Sequence, residues 1–463
     1  MNEREIFFGL DNLFGELSKH WFEKQFPGNG IENRWKIFNA PVVACLFIMQ
    51  KASTRNSLAS AIEFFRSSKS GSGIDNLLGG SRRLAMKSIS ASTGGLSQAR
   101  QRLSVENAAE LFDEINLGMA RLNNRLKAEG EKKSKQKWFL LDGTTIGLQN
   151  TTAIKEEFPA LSNQTGECRP CARAVFAHNL YDAIAQHPAI GKMVESEQAL
   201  GKQVMRRLPK GSGLIADRNF GIFSIAYHAQ NLGLNVLVRM TEVRAARLVG
   251  KDTITNDGTY DVVWTASKAD CATNPDIPVD AHVAGKLTVV SVERYGYRTE
   301  RMFFFNTDFR MTPEQTIAVY KERWLIENDI RTLKSTVHLD IVFSKTPDMV
   351  RKEIFFGILA YNMIRALIAK AAAKVNLKPR DISFSRAAGI ITTTASHLAD
   401  ATTPLQVEIT IEAFYKSIYQ VKHPVRSKPR WEPRAIVTCR KSHFPYMKGS
   451  RNKIKANILK NLN

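Results

Sequence analysis

The sequence predicts a multidomain α/β protein: an α/β core interrupted by a mostly β insertion, with an α-helical region before it and a helical, basic region after it. Three observations predict this. Apolar runs at residues 138–141, 213–216, 235–240 and 302–308 have the length and flanking residues of buried strands. Residues 241–300 break into short β-like runs, such as Tyr260-Asp-Val-Val-Trp264 and Leu287-Thr-Val-Val-Ser-Val292, separated by Gly, Asn, Asp and Pro turns. Residues 1–126, and the chain from Lys334 to about residue 421, read as helical. A length of 463 residues suits two to four domains at roughly 150 residues each.

In chain order, residues 38–50 start a buried helix in the 1–126 region, and Ser53 or Thr54 begins the next. From Arg66 to Arg102 seven basic residues stand against Asp75 alone, interspersed with Ser and Gly. That is either a solvated loop or, as we favour, a DNA-contacting element in which Arg82, Arg83, Lys87, Arg100 and Arg102 reach phosphates. Residues 127–137 are charged and poor in apolar side chains, a linker. The core spans 138–345, with the β insertion at about 241–300. Near its end Thr312-Pro313-Glu314 opens a helix, Thr312 as N-cap and Pro313 at the first helical position. Residues 346–421 are helical and suited to pack beneath the sheet. The tail at 422–463 holds twelve Lys or Arg against Glu432, a net +11 that is half of the whole protein's excess. Trp431, Phe444 and Tyr446 interleave with those charges. Such a tail either stays disordered or, the reading we prefer, clamps a nucleic-acid backbone, with Arg430 and Arg434 among its contacts.

The helix after Thr312 is the most informative segment, because Tyr320, Arg323, Glu327 and Lys334 recur at i, i+3, i+7 and i+14. On an ideal helix, at ~100° per residue, they fall within an arc of about 60° along roughly 21 Å. Val319, Ile326, Ile330 and Leu333 form a second, apolar stripe, so the helix can pack on a core while the charged stripe faces a groove. A solvated face is the competing reading. Two aspartates argue for more: Asp142 and Asp217 each directly follow an apolar run that reads as a buried strand. Magnesium or manganese takes hard oxygen ligands, and phosphoryl-transfer sites use two or three carboxylates with substrate oxygens. Asp142, Asp217 and Glu327 are the candidate set, holding two Mg2+ ions or Mn2+ as substitute. Taken singly, Asp142 before Gly143 also reads as a turn residue, and Asp217 as the cap of a helix starting near Asn219.

Charge agrees with a polyanionic partner. Lys and Arg number 66 against 44 Asp and Glu, net +22, with a pI near 9.8. No secretory signal is read at the amino terminus, and the longest apolar run, residues 354–375, is interrupted by Asn362, Arg365 and Lys370, so a packed helix is expected and no membrane partner. Five cysteines do not suggest a disulfide framework, which makes a reduced, cytoplasmic protein the simplest expectation. Cys168-Arg-Pro-Cys171 has no second pair, and His178 and His187 follow at spacings that fit no common zinc module. Incidental loop cysteines are expected there.

On these residues the chain resembles the DDE transposases of bacterial insertion sequences, in the branch marked by a Tyr-x2-Arg-x3-Glu-x6-Lys signature. Tyr320, Arg323, Glu327 and Lys334 match all four positions. Leu214-Ile-Ala-Asp217-Arg-Asn-Phe220 is similar to the family's second-Asp block, which usually has Gly where Asn219 stands. Ser344-Lys-Thr-Pro347 and Ile358-Leu-Ala-Tyr361-Asn362-Met-Ile-Arg365 resemble the segment after the catalytic Glu, and Arg34-Trp-Lys-Ile-Phe and Ala99-Arg100-Gln-Arg102-Leu103 the amino-terminal domain. The likeness runs over roughly residues 10–450. It implies an RNase H-like catalytic core, binding of double-stranded DNA at terminal inverted repeats and target, a dimer in the paired-end complex, and a nucleoid-associated enzyme. The implied reaction cleaves at the element ends through a hairpin and joins the 3′-hydroxyl ends to target. Tyr320, Arg323 and Lys334 are then phosphate contacts. The resemblance further implies a flipped base stacked on an insertion-domain Trp; Trp264 is the one Trp in that region, with a core position the competing reading. A catalytically inactive, transposase-derived DNA-binding protein and an RNase H-fold nuclease are the alternatives.

Overall fold

A computed structural model of the chain describes residues 38, 40–53, 56–67, 91–126, 137–159, 162–163, 166–167, 169–292, 300–391, 404–423 and 450–460. The expected contacts Arg82, Arg83, Lys87, Arg430 and Arg434, the tail aromatics and most of the 127–137 linker lie outside the described residues. Eight strands, β1 (Trp138–Gly147), β2 (Cys171–Asn179), β3 (Ala189–Lys192), β4 (Gly213–Ala216), β5 (Asn235–Arg239), β6 (Gly258–Thr265), β7 (His282–Val292) and β8 (Glu300–Asn306), form one sheet. Its order is β3-β2-β1-β4-β5-β8-β7-β6. Pairing is parallel at β1–β4 and β4–β5 and antiparallel elsewhere. β4, between two parallel neighbours, is buried at all four residues, which is why Gly213-Leu-Ile-Ala reads as an unbroken apolar run. The edge strand β6 instead sends Asp261, Val263 and Thr265 to solvent.

The region expected as a β insertion does not form a sheet of its own. β7 pairs with β8 from Val292↔Glu300 to Lys286↔Asn306, and β6 adds to β7, so the strands of 241–300 prolong the central sheet. The edge of β8 left by β5 offers a row of backbone donors and acceptors, and a strand laid along it satisfies them.

In chain order the helices are α1 (Ala40–Ala52), α2 (Leu58–Ser67), α3 (Gly94–Arg102), α4 (Val105–Leu126), α5 (Thr152–Glu157), α6 (Glu197–Met205), α7 (Phe223–Asn231), α8 (Glu242–Val249), α9 (Lys268–Thr273), α10 (Pro313–Lys321), α11 (Leu325–Ser335), α12 (Pro347–Lys374), α13 (Pro404–Gln420) and α14 (Arg451–Lys460). Side chains alternate across each strand, which splits the core in two. Leu140, Ile215, Leu237 and Phe304 face one layer, built from α1, α4, α11, α12 and α13 through Phe47, Leu111, Ile326, Tyr361 and Phe414. Leu141, Leu214, Val238 and Phe305 face the other, where α6, α7 and α8 contribute Leu200, Phe223 and Ala245. A smaller cluster joins α1, α2 and α3 through Leu46, Ile62 and Leu96. The second helix starts at Leu58 rather than after Ser53 or Thr54, and it is Ser57 Oγ that accepts from the Ser60 amide.

The 28-residue α12 is long and apolar enough to cross a membrane by length and composition, yet it is buried along most of its length inside the protein. Its buried polar side chains are tied. Lys352 Nζ donates to the Arg100 and Leu103 carbonyls at the end of α3, at 3.1 and 2.8 Å. Glu353 pairs with the buried Lys51 at 2.6 Å and accepts from Ser344. Asn362 accepts from the Ala185 amide and donates to Ala185 O and Asn116 Oδ1. The expected amino-terminal helices are thus bonded to the same rod that supports the sheet. By internal contacts the chain divides into two units, Met1–Val421 and Lys422–Asn463; in the second, α14 is the described helix and is exposed almost throughout.

Candidate active site

Register brings the two aspartates together. Leu141 pairs with Ala216 in the parallel β1–β4 ladder, so the next residues, Asp142 and Asp217, stand side by side where β4 ends. Each is two residues beyond a side chain of the α11-side core, Leu140 and Ile215, so both belong to the face that α11 covers. Asp142 does not end its strand: β1 continues to Gly147 against β2, and the edge exists because β4 stops. Asp142 is not a turn residue, and Asp217 caps no helix but closes a turn onto Asn219. Asp142 sits within β1, with Oδ1 accepting from Gly143 N at 2.8 Å. Asp217 Oδ1 accepts from Asn219 N at 2.9 Å, while α7 begins only at Phe223, after Ile222. In the same register Val238 lies beside Ala216, which places Arg239, at the end of β5, next along this edge.

The signature segment is not one regular helix. Thr312 caps α10, with Pro313 at the first position and Gln315 completing a capping box, and the sequence anticipates that start. Residues Glu322–Trp324 then form a 3-10 turn before α11 resumes. A 3-10 turn advances about 120° per residue, so three residues add about 60° to an ideal helix, which still leaves the four signature side chains within an arc of about 80°. Tyr320 is buried, its ring 4.5 Å from that of Phe304, while Glu327 is 53 % exposed. Arg323 Nη2 donates to Glu327 Oε1 at 2.7 Å. The apolar stripe holds: Ile326, Ile330 and Leu333 are buried.

The electrostatics identify the site's members. Burial pushes the Asp142 carboxyl up to about 6, Asp217 and Glu197 add to that rise, and Gly143 and Arg323 oppose it. Burial pushes the Tyr320 hydroxyl up to about 12 against the pull of Arg323 and Arg239, with Asp217 adding to the rise. Burial works against the Arg323 charge, but the Glu327 bond and the Asp142 carboxylate help to hold its pKa above the ordinary value. Arg323 therefore lies within electrostatic reach of Asp142 and Glu327 at once. Lys334, in the last turn of α11, is lowered by burial and supported by Asp340 and Cys171. Among the described residues no group of three His, Cys, Asp or Glu side chains is gathered closely enough to hold a metal ion.

Sequence reasoning missed Glu197 and Arg239. Glu197 opens α6 on the far layer and lies against Gly143: a Cβ there would come within 2.8 Å of its carboxyl. Nothing in the local sequence marks it, since only the tertiary fold carries α6 to β1. Trp324, on the 3-10 turn, is 54 % exposed. Trp264 is half-buried and packs edge-on against Phe223 and Phe305, with centroids 5.7 and 5.1 Å away. Arg100, expected on a phosphate, is turned inward: its guanidinium stacks 3.6 Å over Phe47, and burial lowers it to about 10. Helical spacing explains this correction, because Arg100 shares the buried face of α3 with Leu96 and Ala99. Arg102 remains exposed. The Cys171 thiol donates to the Arg169 carbonyl at 3.4 Å, His178 bonds to the Ala183 carbonyl, and His187 pairs with Asp113.

Comparison with known proteins bears on this geometry. Residues 133–363, which include Asp142, Asp217 and Glu327, match the family described as "Transposase DDE domain". This match supports an enzyme of the DDE transposase kind. No curated protein matches the chain. Among solved structures it is similar to "Cryo-EM structure of piggyBac transposase synaptic complex with hairpin DNA (SNHP)", at 9 % identity, with a TM-score of 0.38 and coverage of 81 % of this chain and 75 % of that one.

Proposed function

We propose that the protein is the transposase of a bacterial insertion sequence, with an RNase H-like core, which binds terminal inverted repeats, cleaves DNA at the element ends and joins the 3′-hydroxyl ends to target DNA. The single observation that carries this is the pair Asp142 and Asp217 on neighbouring parallel strands, beneath α11, which bears Glu327, and the 3-10 turn before it, which bears Arg323. The donors are all carboxylate oxygens, which suits magnesium or manganese, and Asp142, raised chiefly by burial with Asp217 and Glu197 adding to it, is a carboxylate whose charge a bound cation would stabilise. Asp142 and Asp217 would hold the metal, with Glu327 as the third donor. When bound, divalent magnesium stabilises charge on phosphoryl oxygens and lowers the pKa of bound water. The chain's own part is to place the phosphodiester. Arg323 offers a planar fork and Lys334 a point charge to the phosphates flanking the scissile bond. Buried Tyr320 backs Arg323 rather than meeting DNA by itself. The core packing of Trp264 favours a structural role for it over base stacking.

Glu327→Gln keeps the shape of the side chain and removes its charge. Magnesium-dependent nicking of a labelled inverted-repeat duplex should be lost, while a gel shift of that duplex in calcium should persist. Nicking within about tenfold of the parent, ~1.4 kcal/mol in barrier, would remove Glu327 from the metal site. Binding without nicking by the parent itself would favour a transposase-derived DNA-binding protein.

A further inference from the structure

Asn219 stands two residues after Asp217, and the first turn of α6 holds it from two side chains. Its Nδ2 donates to Glu197 Oε2 at 2.7 Å. Gln198 Nε2 donates to its backbone carbonyl at 3.0 Å and to its Oδ1 at 2.7 Å. Its own amide donates to Asp217 Oδ1. Glu197 meanwhile rests on Gly143, where any Cβ would collide with its carboxyl, so one helix turn touches the residue after Asp142 and the loop after Asp217. Ser196 caps that turn through the Ala199 amide, which fixes the backbone from which Glu197 and Gln198 project.

We propose that Glu197, Gln198 and Asn219 form a clamp that positions the Asp217 carboxylate for metal, with Asn219 as the link and Glu197 and Gln198 as its anchors. The proposal rests on the reading of Asp217 as a metal ligand. The clamp orients one carboxylate oxygen through the Asn219 amide and leaves the other for a cation. It also gives Asn219 a purpose: a glycine would keep the amide and the carbonyl that Gln198 meets, but lose the side-chain bonds to both Glu197 and Gln198. These bonds lie at the surface, where hydrogen bonds add little to global stability. A positioning role and a merely structural role therefore differ in what they move.

The test is manganese binding by the full-length protein without DNA, read from the electron paramagnetic resonance of free Mn2+, beside thermal melting in EDTA. Glu197→Ala, Gln198→Ala and Asn219→Gly should weaken manganese binding by about tenfold or more, the usual scale for groups that orient metal ligands. Their melting temperatures should stay within about 2 °C of the parent. Glu197→Gln keeps an oxygen for Asn219 Nδ2 and should bind within about threefold of the parent. Parent-like binding by Asn219→Gly and Glu197→Ala would overturn the clamp. So would equal losses in Glu197→Gln and Glu197→Ala, which would make the charge the contribution and Glu197 a ligand. Should Glu197→Ala fail to fold, Asn219→Gly and Gln198→Ala test the same bonds. Asp217→Asn separates the two levels: if it binds manganese as the parent does, the metal reading fails and the clamp with it. If it alone loses binding, the clamp fails by itself.

Discussion

Asp142 bears the electrostatic cost of burying a carboxylate at the sheet edge, to which Asp217 and Glu197 add. Its carboxyl is raised from the ordinary 3.8 to about 6, chiefly by burial. A raised carboxyl favours the folded state fully below about 3.8, and that contribution is lost as pH rises through about 6. At neutral pH without metal the ionised group therefore destabilises the fold, by at most about 3 kcal/mol. Asp142→Asn should melt higher than the parent in EDTA at pH 7.5, and the difference should shrink towards pH 4.5 while nicking is abolished. Melting curves at three pH values decide this: a gain independent of pH would show that the cost is not ionisation.

At the scale of the element, α11 is held by a group that the charged stripe does not contain. Asp329, two residues from Glu327, points inward and is 1 % exposed. It accepts from Arg365 at 3.2 Å, from both Nη atoms of Arg380 at 3.2 and 3.0 Å, and from the Tyr361 hydroxyl at 3.3 Å. His178 lies 3.7 Å away, but burial lowers it to about 4, so at neutral pH its ring is uncharged and the two arginines carry the pairing. Despite burial those charges hold Asp329 below its ordinary value. Its stabilising contribution is present above the ordinary carboxylate pKa and lost as pH falls through the depressed one. Asp329→Ala would leave Arg365 and Arg380 without their shared carboxylate and should lower the unfolding free energy by about 3–5 kcal/mol. Urea unfolding at neutral pH measures it, and a loss below about 1 kcal/mol would mean that the helix is set by its apolar stripe alone. With Ile326, Ile330 and Leu333, this network fixes the rotation of α11 and so the side on which Glu327 emerges.

For the molecule as a whole, charge is distributed unevenly between the two units. Lys422–Asn463 carries net +11 of the total +22. If this unit neutralises DNA phosphates, binding should weaken steeply with salt, by about 0.9 in log K per contact for each unit of log salt. Removing residues 422–463 should flatten that slope by several contacts, measured by fluorescence anisotropy between 50 and 200 mM salt. An unchanged slope would make the tail a spectator. Arg100 should contribute nothing to the slope, since its charge is spent on Phe47.

Some of this protein is legible in one dimension because the signal is local. The strands at 138–141 and 213–216, the Thr312 cap and the apolar stripe of α11 follow from periodicity and from residues that satisfy backbone groups nearby. Two apolar runs suggest that Asp142 and Asp217 meet at one sheet edge, but it is the register Leu141↔Ala216 that places them side by side. Other features were decided only by packing at long range. The inward turn of Arg100, the burial of Tyr320, the joining of the 241–300 strands to the main sheet, and the approach of Glu197 to Gly143 all depend on partners far away in sequence. Local propensity records which face of a segment is apolar; it does not record what that face meets, and desolvation and pairing energies are set by the meeting.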